Sequence, residues 1–334
     1  MRDLFARHDS FAEKASIPSR LSWGDPSRCP DPCVTVIMPV YRRPELFALA
    51  LRSVLEQEVL QAYEVVVVDN NEDAQSPNQS VVEAAADPRV LYYRNAENLG
   101  MYGNWNRGIE LARAPYVTFC HDDDLLLPHA LRTLLALSEK VGKACILTVF
   151  QEIDGAGNLI GTQEQYARWG FLKPRLLAPY TRLGQYLGNI SCGDGCLYDR
   201  QAMLETGGYD ADLYPSADYA LHIVYARRFG AWICNQPTSC YRKADNESMR
   251  VYEAFPVVNR RIHAAMLERD HVPRCLRDRF LTALFNNNLT HSNRVWRDGA
   301  ASAVSLSAAD RWIVLTAWRL NRFSHYRWPC NNRF

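Results

Sequence analysis

The chain has 334 residues, 48% of them hydrophobic and 22% charged, with a net charge of +1. That length suits one large or two moderate domains with a sizeable core, and the balance excludes a disordered chain or a globally basic nucleic-acid binder. Scattered charges through Met1–Trp23 make no signal peptide, and no run of about 18 apolar residues occurs, so the expectation is a cytoplasmic protein with reduced thiols.

Residues 1–32 read as a polar, Pro-punctuated extension. Regular patterning begins at Val34–Val40, a β-branched apolar run of the buried-strand type. Pro44-Glu45 opens a helix with Leu46, Leu49, Ala50, Ser53 and Val54 on one stripe. A second buried strand, Glu64–Val68, stops at Asp69-Asn70-Asn71. A short helix near Asn78–Ala86 and a strand at Arg89–Tyr93 follow. Next come a helix over Gly100–Ala112, a strand at Tyr116–Cys120, a helix over Pro128–Val141 and a strand at Ala144–Ile153, closed by a turn at Asp154-Gly155. This rhythm predicts an α/β fold, a parallel sheet covered by helices. Ligands in such sheets sit at the carboxyl ends of the strands. The residues to inspect are then Tyr41-Arg42-Arg43, Asp69-Asn70-Asn71, Arg94-Asn95 and His121-Asp122-Asp123-Asp124.

The acidic triple Asp122–Asp124 carries the strongest signal. Three carboxylates this close repel one another unless something neutralises them, and oxygen ligands suit Mn²⁺ or Mg²⁺ holding a diphosphate. A solvated acidic loop at a helix start is the alternative. Asp69, directly after four valines, suits a base or ribose, or an Asx turn. Arg94 suits a phosphate, or solvent. Asp218, at the start of a helical pattern, suits a general base or a helix cap. Asp194, between Gly193 and Gly195, is a second candidate base, or part of a plain turn. Cys29/Cys33 and Cys192/Cys196 lack the usual zinc spacing and read as small core residues. Neither a dinucleotide fingerprint nor a P-loop is present.

The order of these pieces resembles the family 2 glycosyltransferases of the GT-A fold. The matching segments are Val34–Arg43, Val65–Asn71, Asn98–Gly108, Tyr116–Asp124 with Pro128, and Gly207-Gly208-Tyr209-Asp210 leading to Asp218-Tyr219. The resemblance implies a Rossmann-like, mostly parallel sheet flanked by helices over residues 33–245. Residues 33–125 form its nucleotide-binding half and 126–245 its acceptor half, with a helical region over 246–334. It implies inverting transfer of a sugar from a UDP-, GDP- or dTDP-sugar to a hydroxyl of a saccharide or lipid-linked saccharide, in surface polysaccharide or glycolipid synthesis. Pro39, Val40, Tyr41 and Arg43 would line the nucleoside pocket, with Asp69 and Asn71 at the base. Arg94, Asn98, Gly100 and Asn104 would lie along the donor. Asp123 matches the metal-ligating acid, flanked by Asp122 and Asp124, and Asp218 matches the base.

The sequence departs from the family pattern at several positions. His121 stands where the first acid often stands, Ala217 where a Glu precedes the base, Trp105 where an Arg is frequent, and Ala244 where many members place a His. Asp245 or Asn246 is available to substitute for that His. A non-catalytic nucleotide-sugar-binding scaffold is therefore a rival reading. A nucleotidyltransferase is another, although Tyr41-Arg42-Arg43-Pro44 supplies no Gly-rich loop. Residues 311–334 carry Arg311, Arg319, Arg322, Arg327 and Arg333, six interleaved aromatics and no acid. That composition suits peripheral contact with the inner face of a membrane, or a terminal helix packed on the body.

Overall fold

The computed structural model describes residues 4–6, 8–73, 75–162, 176–188, 193–244, 246–296 and 307–327. The chain enters through an edge strand, β1 (Ser19–Trp23), and then runs β2 (Val34–Val40), α1 (Pro44–Leu55), β3 (Tyr63–Asp69), α2 (Pro77–Ala85), β4 (Val90–Asn95), α3 (Met101–Leu111) and β5 (Tyr116–Phe119). Every residue of β2 and β3 is buried, as their valine-rich runs require. β4, β3, β2 and β5 pair in that order, all parallel. The crossovers from β2 move outward through β3 to β4, and α3 then carries the chain back to the other side of β2. The strand order therefore reverses between β2 and β5, where sheets of this kind open a crevice at their carboxyl ends.

Alternation along β2 divides the core. Val36, Met38 and Val40 pack with Phe47, Leu51 and Val54 of α1, while Ile37 faces α3. α3 lies so close that a Cβ at Gly108 would come within 2.2 Å of Ile37 Cγ2, so only glycine fits there.

Beyond β5 come β6 (Leu125–Leu126), α4 (Ala130–Val141), β7 (Cys145–Ile153), β8 (Leu159–Thr162), β9 (Leu177–Pro179) and α5 (Arg182–Tyr186). β10 (Tyr198–Asp199) returns to pair with β5, followed by α6 (Arg200–Thr206), α7 (Ala217–Phe229) and β11 (Ala231–Arg242). A second sheet runs β6-β11-β7-β8, with β9 also on β11. α8 (Glu247–Arg250), α9 (Ala254–Arg269), α10 (Arg274–Trp296) and α11 (Ala308–Arg327) complete the chain. Val258, Ile262 and Met266 of α9 pack on Tyr219, Ala220 and Ile223 of α7.

Two strands carry no alternating signature. β1 lies antiparallel on β4, pairing Ser19 with Asn95, yet it is largely exposed, so backbone bonds rather than side-chain burial hold it. Arg107 ties the preceding turn down by donating to the carbonyls of Lys14 and Ile17. β11 pairs in parallel with β7, but its register shifts between Cys234 and Ser239, across Asn235-Gln236-Pro237, which breaks the apolar run. The eight cysteines among the described residues are all free thiols.

Candidate active site at the crevice between β2 and β5

The backbone N–H of Cys120 donates to the Ile37 carbonyl (3.0 Å), so β5 stays joined to β2 until the acidic loop begins. At the end of β2 the chain turns sharply, with Arg42 in the left-handed region at φ 56°. The turn aims the Tyr41 N–H at the Asp122 carboxylate (2.9 Å). Arg43 ion-pairs with Asp123 and stands 3.8 Å from Asp122. Pro39 and Val40 are buried beneath this closure, and Tyr41 is exposed at its rim.

The three aspartates face three environments. Asp123 meets Arg43 at the opening. Asp122 is buried, and burial with the charge of Asp123 pushes its pKa up to about 7, despite the Tyr41 N–H and Arg43. Asp124 turns inward and accepts the backbone N–H of Arg242 (2.7 Å), while Arg242 Nε donates to the Asp123 carbonyl (2.8 Å). Burial raises the Asp124 pKa, and the neighbouring Asp194 adds to that shift. One guanidinium thus stands against two carboxylates at the opening. Burial, and then the charge of Asp123, make the ionised form of Asp122 costly, which marks a site short of positive charge. Hard carboxylate oxygens there suit a divalent ion such as Mn²⁺ or Mg²⁺, so the residues fit such an ion.

Behind the loop, Asp194 is clamped by His121. The His121 backbone N–H donates to one carboxylate oxygen (2.7 Å), and Nδ1 lies 2.8 Å from the other. Burial alone would keep Asp194 neutral, but His121 outweighs it and holds its pKa below the usual range. The same pairing holds the His121 pKa up against burial. The His121 ring stacks on Trp105, centroids 4.4 Å apart. His121, Asp124 and Asp194 bring one ligand-type atom each to within 4.8 Å of the others. The Gly195 N–H donates to the Phe119 carbonyl (3.0 Å), which sets Asp194 beside the end of β5. Gly195 has φ 64°, and a Cβ would meet Thr238 Oγ1 at 2.6 Å, so the approach needs glycine. Residues 189–192 of the segment around Asp194 lie outside the described residues.

At the ends of β3 and β4 the polar residues bind one another. Asp69 accepts from Asn71 N–H, Ser76 Oγ, Tyr92 hydroxyl and Asn78 Nδ2. Asn70 donates to Asn98 Oδ1 and the Gly100 carbonyl, and accepts from Asn95 Nδ2 and the Leu99 N–H. Asn104 donates to the Val68 carbonyl (2.9 Å) and accepts from Asn95 (2.8 Å). Asn71 accepts the Asp73 N–H (3.1 Å), and Arg94 donates to the Asp73 carbonyl. The structure thus gathers Asp69, Asn71 and Arg94 into one hydrogen-bonded set and Asn98, Gly100 and Asn104 into a second, organised by Asn70 and Asn95.

Asp218 stands half-buried in the first turn of α7. The Tyr102 hydroxyl fixes that turn: it donates to the Pro215 carbonyl (2.7 Å) and accepts the Ala217 N–H (3.3 Å). Burial, and then the charge of Asp218, push the Tyr102 pKa well up, which sets the carboxylate near that ring. Tyr102 packs edge-on against Trp105 at 5.1 Å. An aromatic path therefore runs from Asp218 through Tyr102 and Trp105 to His121. Asn246 Nδ2 donates to the Tyr241 hydroxyl and the Arg242 carbonyl, and Asp245 lies outside the described residues.

The profile described as Glycosyl transferase family 2 matches residues 35–206, just over half of the chain. The chain belongs to that family. A GalNAc(5)-diNAcBac-PP-undecaprenol beta-1,3-glucosyltransferase of Campylobacter jejuni is 36% identical to this family 2 chain over 107 residues, 31% of this chain and 34% of that protein. Staphylococcus aureus TarS 1-349, in complex with UDP-GlcNAc, superposes with a TM-score of 0.57 at 16% identity, over 87% of this chain and 81% of that one. The mannosyltransferase PcManGT of Pyrobaculum calidifontis, in complex with GDP-Man and Mn²⁺, gives 0.53 at 16% identity, over 95% and 87%. At such identities the two structures speak for the fold, which is the GT-A arrangement of sheets flanked by helices. The chain spans 60% and 54% of two further curated relatives.

Sequence reasoning missed Arg242 as an organiser of the site and gave Asn70 no role of its own. Asn70 was audible as the middle of Asp69-Asn70-Asn71. Arg242 had no local signal, since its partner Asp124 is 118 residues away.

Proposed function

We propose that the protein transfers a sugar, with inversion, from a nucleotide-diphosphate sugar to a hydroxyl acceptor. The observation that carries this reading is the meeting of Tyr41 and Arg43 with Asp122 and Asp123 at the strand-order reversal. The nucleoside lies against the end of β2, over Pro39, Val40 and Tyr41, and along the two polar sets that hold Asp69, Asn71 and Arg94, and Asn98, Gly100 and Asn104. Asp123 would hold the divalent ion, with Asp122 beside it and Asp124 fixing the loop from within. A bound Mn²⁺ or Mg²⁺ supplies charge neutralisation for the departing diphosphate. Arg43 adds a fixed positive charge to the same opening.

Asp218 takes the acceptor's proton as the acceptor oxygen bonds the anomeric carbon. The carbon–oxygen bond to the diphosphate breaks on the opposite face, and the electron pair leaves with the nucleoside diphosphate. Asp218 suits the role better than Asp194, which is 1% exposed and has both oxygens engaged by His121.

The test offers UDP-, GDP- and dTDP-sugars with Mn²⁺ or Mg²⁺ and measures released nucleoside diphosphate. Asp123→Ala should lower release by about a thousandfold, several kcal/mol of charge stabilisation. Undiminished release by that variant sinks the reading, and binding of every donor without release favours the scaffold.

We further propose that the enzyme works at the cytoplasmic face of a membrane, on a saccharide or lipid-linked saccharide acceptor, in surface polysaccharide or glycolipid synthesis. On α11, Arg311, Trp312 (68%), Arg319 and Leu320 (57%) are exposed, and Val314 is buried. The side chains of Trp318 and of residues 321–334 lie outside the described residues. Among the described residues no helix is long and apolar enough to cross a membrane. The two exposed arginines should contribute on the order of 1 kcal/mol each to binding anionic vesicles. Equal flotation of wild type and Arg311→Glu/Arg319→Glu with phosphatidylglycerol vesicles would remove the membrane clause.

A further inference from the structure

Tyr214 lies four residues before Asp218, with 37% of its surface exposed. A single exposed aromatic needs no explanation in itself, but this one is held on three sides. Its hydroxyl bonds the Glu247 carboxylate. Its ring meets Tyr102 edge-on, centroids 6.3 Å apart. Its backbone N–H donates to the Ala211 carbonyl (3.1 Å). Tyr102 is the residue that fixes the first turn of α7, so Tyr214 and Asp218 share one support.

The Glu247 contact leads the other way. Glu247 opens α8, five residues beyond Arg242, whose guanidinium holds the Asp123 carbonyl. Asn246 binds the Arg242 carbonyl and keeps that segment against the strand end. Tyr214 therefore spans from the helix carrying Asp218 to the segment behind the acidic loop.

We propose that Tyr214 is a specificity-determining platform, on which the apolar face of a saccharide acceptor's ring stacks while its hydroxyl is presented to Asp218. The proposal rests on the glycosyl-transfer reading with its saccharide acceptor, and names the residue that holds the acceptor's ring. The chemistry follows from the ring. Axial C–H bonds of a pyranose form a weakly positive surface, and an aromatic face carries negative quadrupole density. A rigid ring stacks at little entropic cost, since Tyr102 and Glu247 already hold it.

The experiment uses the full chain with octyl glycosides and free disaccharides as acceptor probes, and glycerol and 1-octanol as controls. Acceptor KM is measured with the sugar nucleotide that turns over best. Saturation-transfer NMR reads glycoside binding directly, independent of turnover. Tyr214→Ala should raise the acceptor KM about tenfold and weaken the glycoside signals to match, as expected for one lost stacking contact. The Kd for nucleoside diphosphate should stay unchanged. Tyr214→Phe keeps the ring and loses the bond to Glu247, so it should bind glycosides like the wild type.

Three results would overturn the proposal: unchanged glycoside binding in Tyr214→Ala, an equal loss in Tyr214→Phe, or wild-type preference for glycerol over every glycoside. Failure of the parent reading looks different. No donor releases nucleoside diphosphate in any variant, while the NMR comparison still answers for Tyr214.

Discussion

At the ends of β3 and β4, Asp69 accepts from four donors and Asn70 joins four partners, all from residues 71–100. At the start of α7, Asp218 stands half-buried among tyrosines, and Asp194 depends on His121, 73 residues away in sequence. The first region is a short-range polar lattice. The second is assembled by long-range packing, and only one of its two aspartates is open to a ligand. A polar group with all its bonds made inside the protein gives shape, whereas a charge kept partly open is available for chemistry.

Swapping amides for the two acids should separate those roles most sharply. Asp218→Asn removes a base and leaves packing intact, so transfer should fall by about 10²–10⁴-fold with unfolding by urea unchanged. Asp194→Asn breaks a buried pair with His121, so its stability should fall by about 3–5 kcal/mol. The contrast breaks if Asp194→Asn folds like the wild type and loses transfer, for then Asp194 is the base.

The same contrast governs what could be read from sequence. β2 and β3 announce themselves as buried valine runs, and Asp69, Asn71 and the acidic triple follow directly from where those strands and β5 stop. Local pattern suffices wherever neighbours in sequence are neighbours in space. It fails for the strand end at Arg242 and for the clamp on Asp194, because partners 118 and 73 residues away leave no periodic trace. It also fails for β1, whose exposed residues have no face to alternate. Two departures from the family pattern, at Trp105 and His121, looked independent in sequence. In the fold they lie face to face, centroids 4.4 Å apart, as a stacked pair with the carboxylate of Asp194 beside it.

Histidines on the packing-built side extend the comparison to pH, with the smallest effect. His263, buried beneath Tyr219 with its Nε2 2.8 Å from that hydroxyl, has its pKa pushed down to about 4 by burial alone. Unfolded, it titrates near ~6.5. Below that pH the unfolded chain binds a proton that the folded chain refuses. The stability His263 permits is therefore whole above pH ~6.5 and is lost as pH falls toward about 4, at up to about 1.4 kcal/mol per pH unit. His222, pushed to about 3 by burial, acts in the same direction. Asp122, raised to about 7, acts in the opposite one, because the folded chain holds the extra proton there. A stability curve of the wild type alone mixes these signs, so the reading to take is a difference. Urea unfolding of His263→Gln, less that of the wild type, should climb by about 1.4 kcal/mol for each pH unit below ~6.5 and be level above it. A difference that is flat from pH 7.5 to 5 would mean that His263 takes up its proton in the fold, and that the contact between α7 and α9 is wetter than its packing implies.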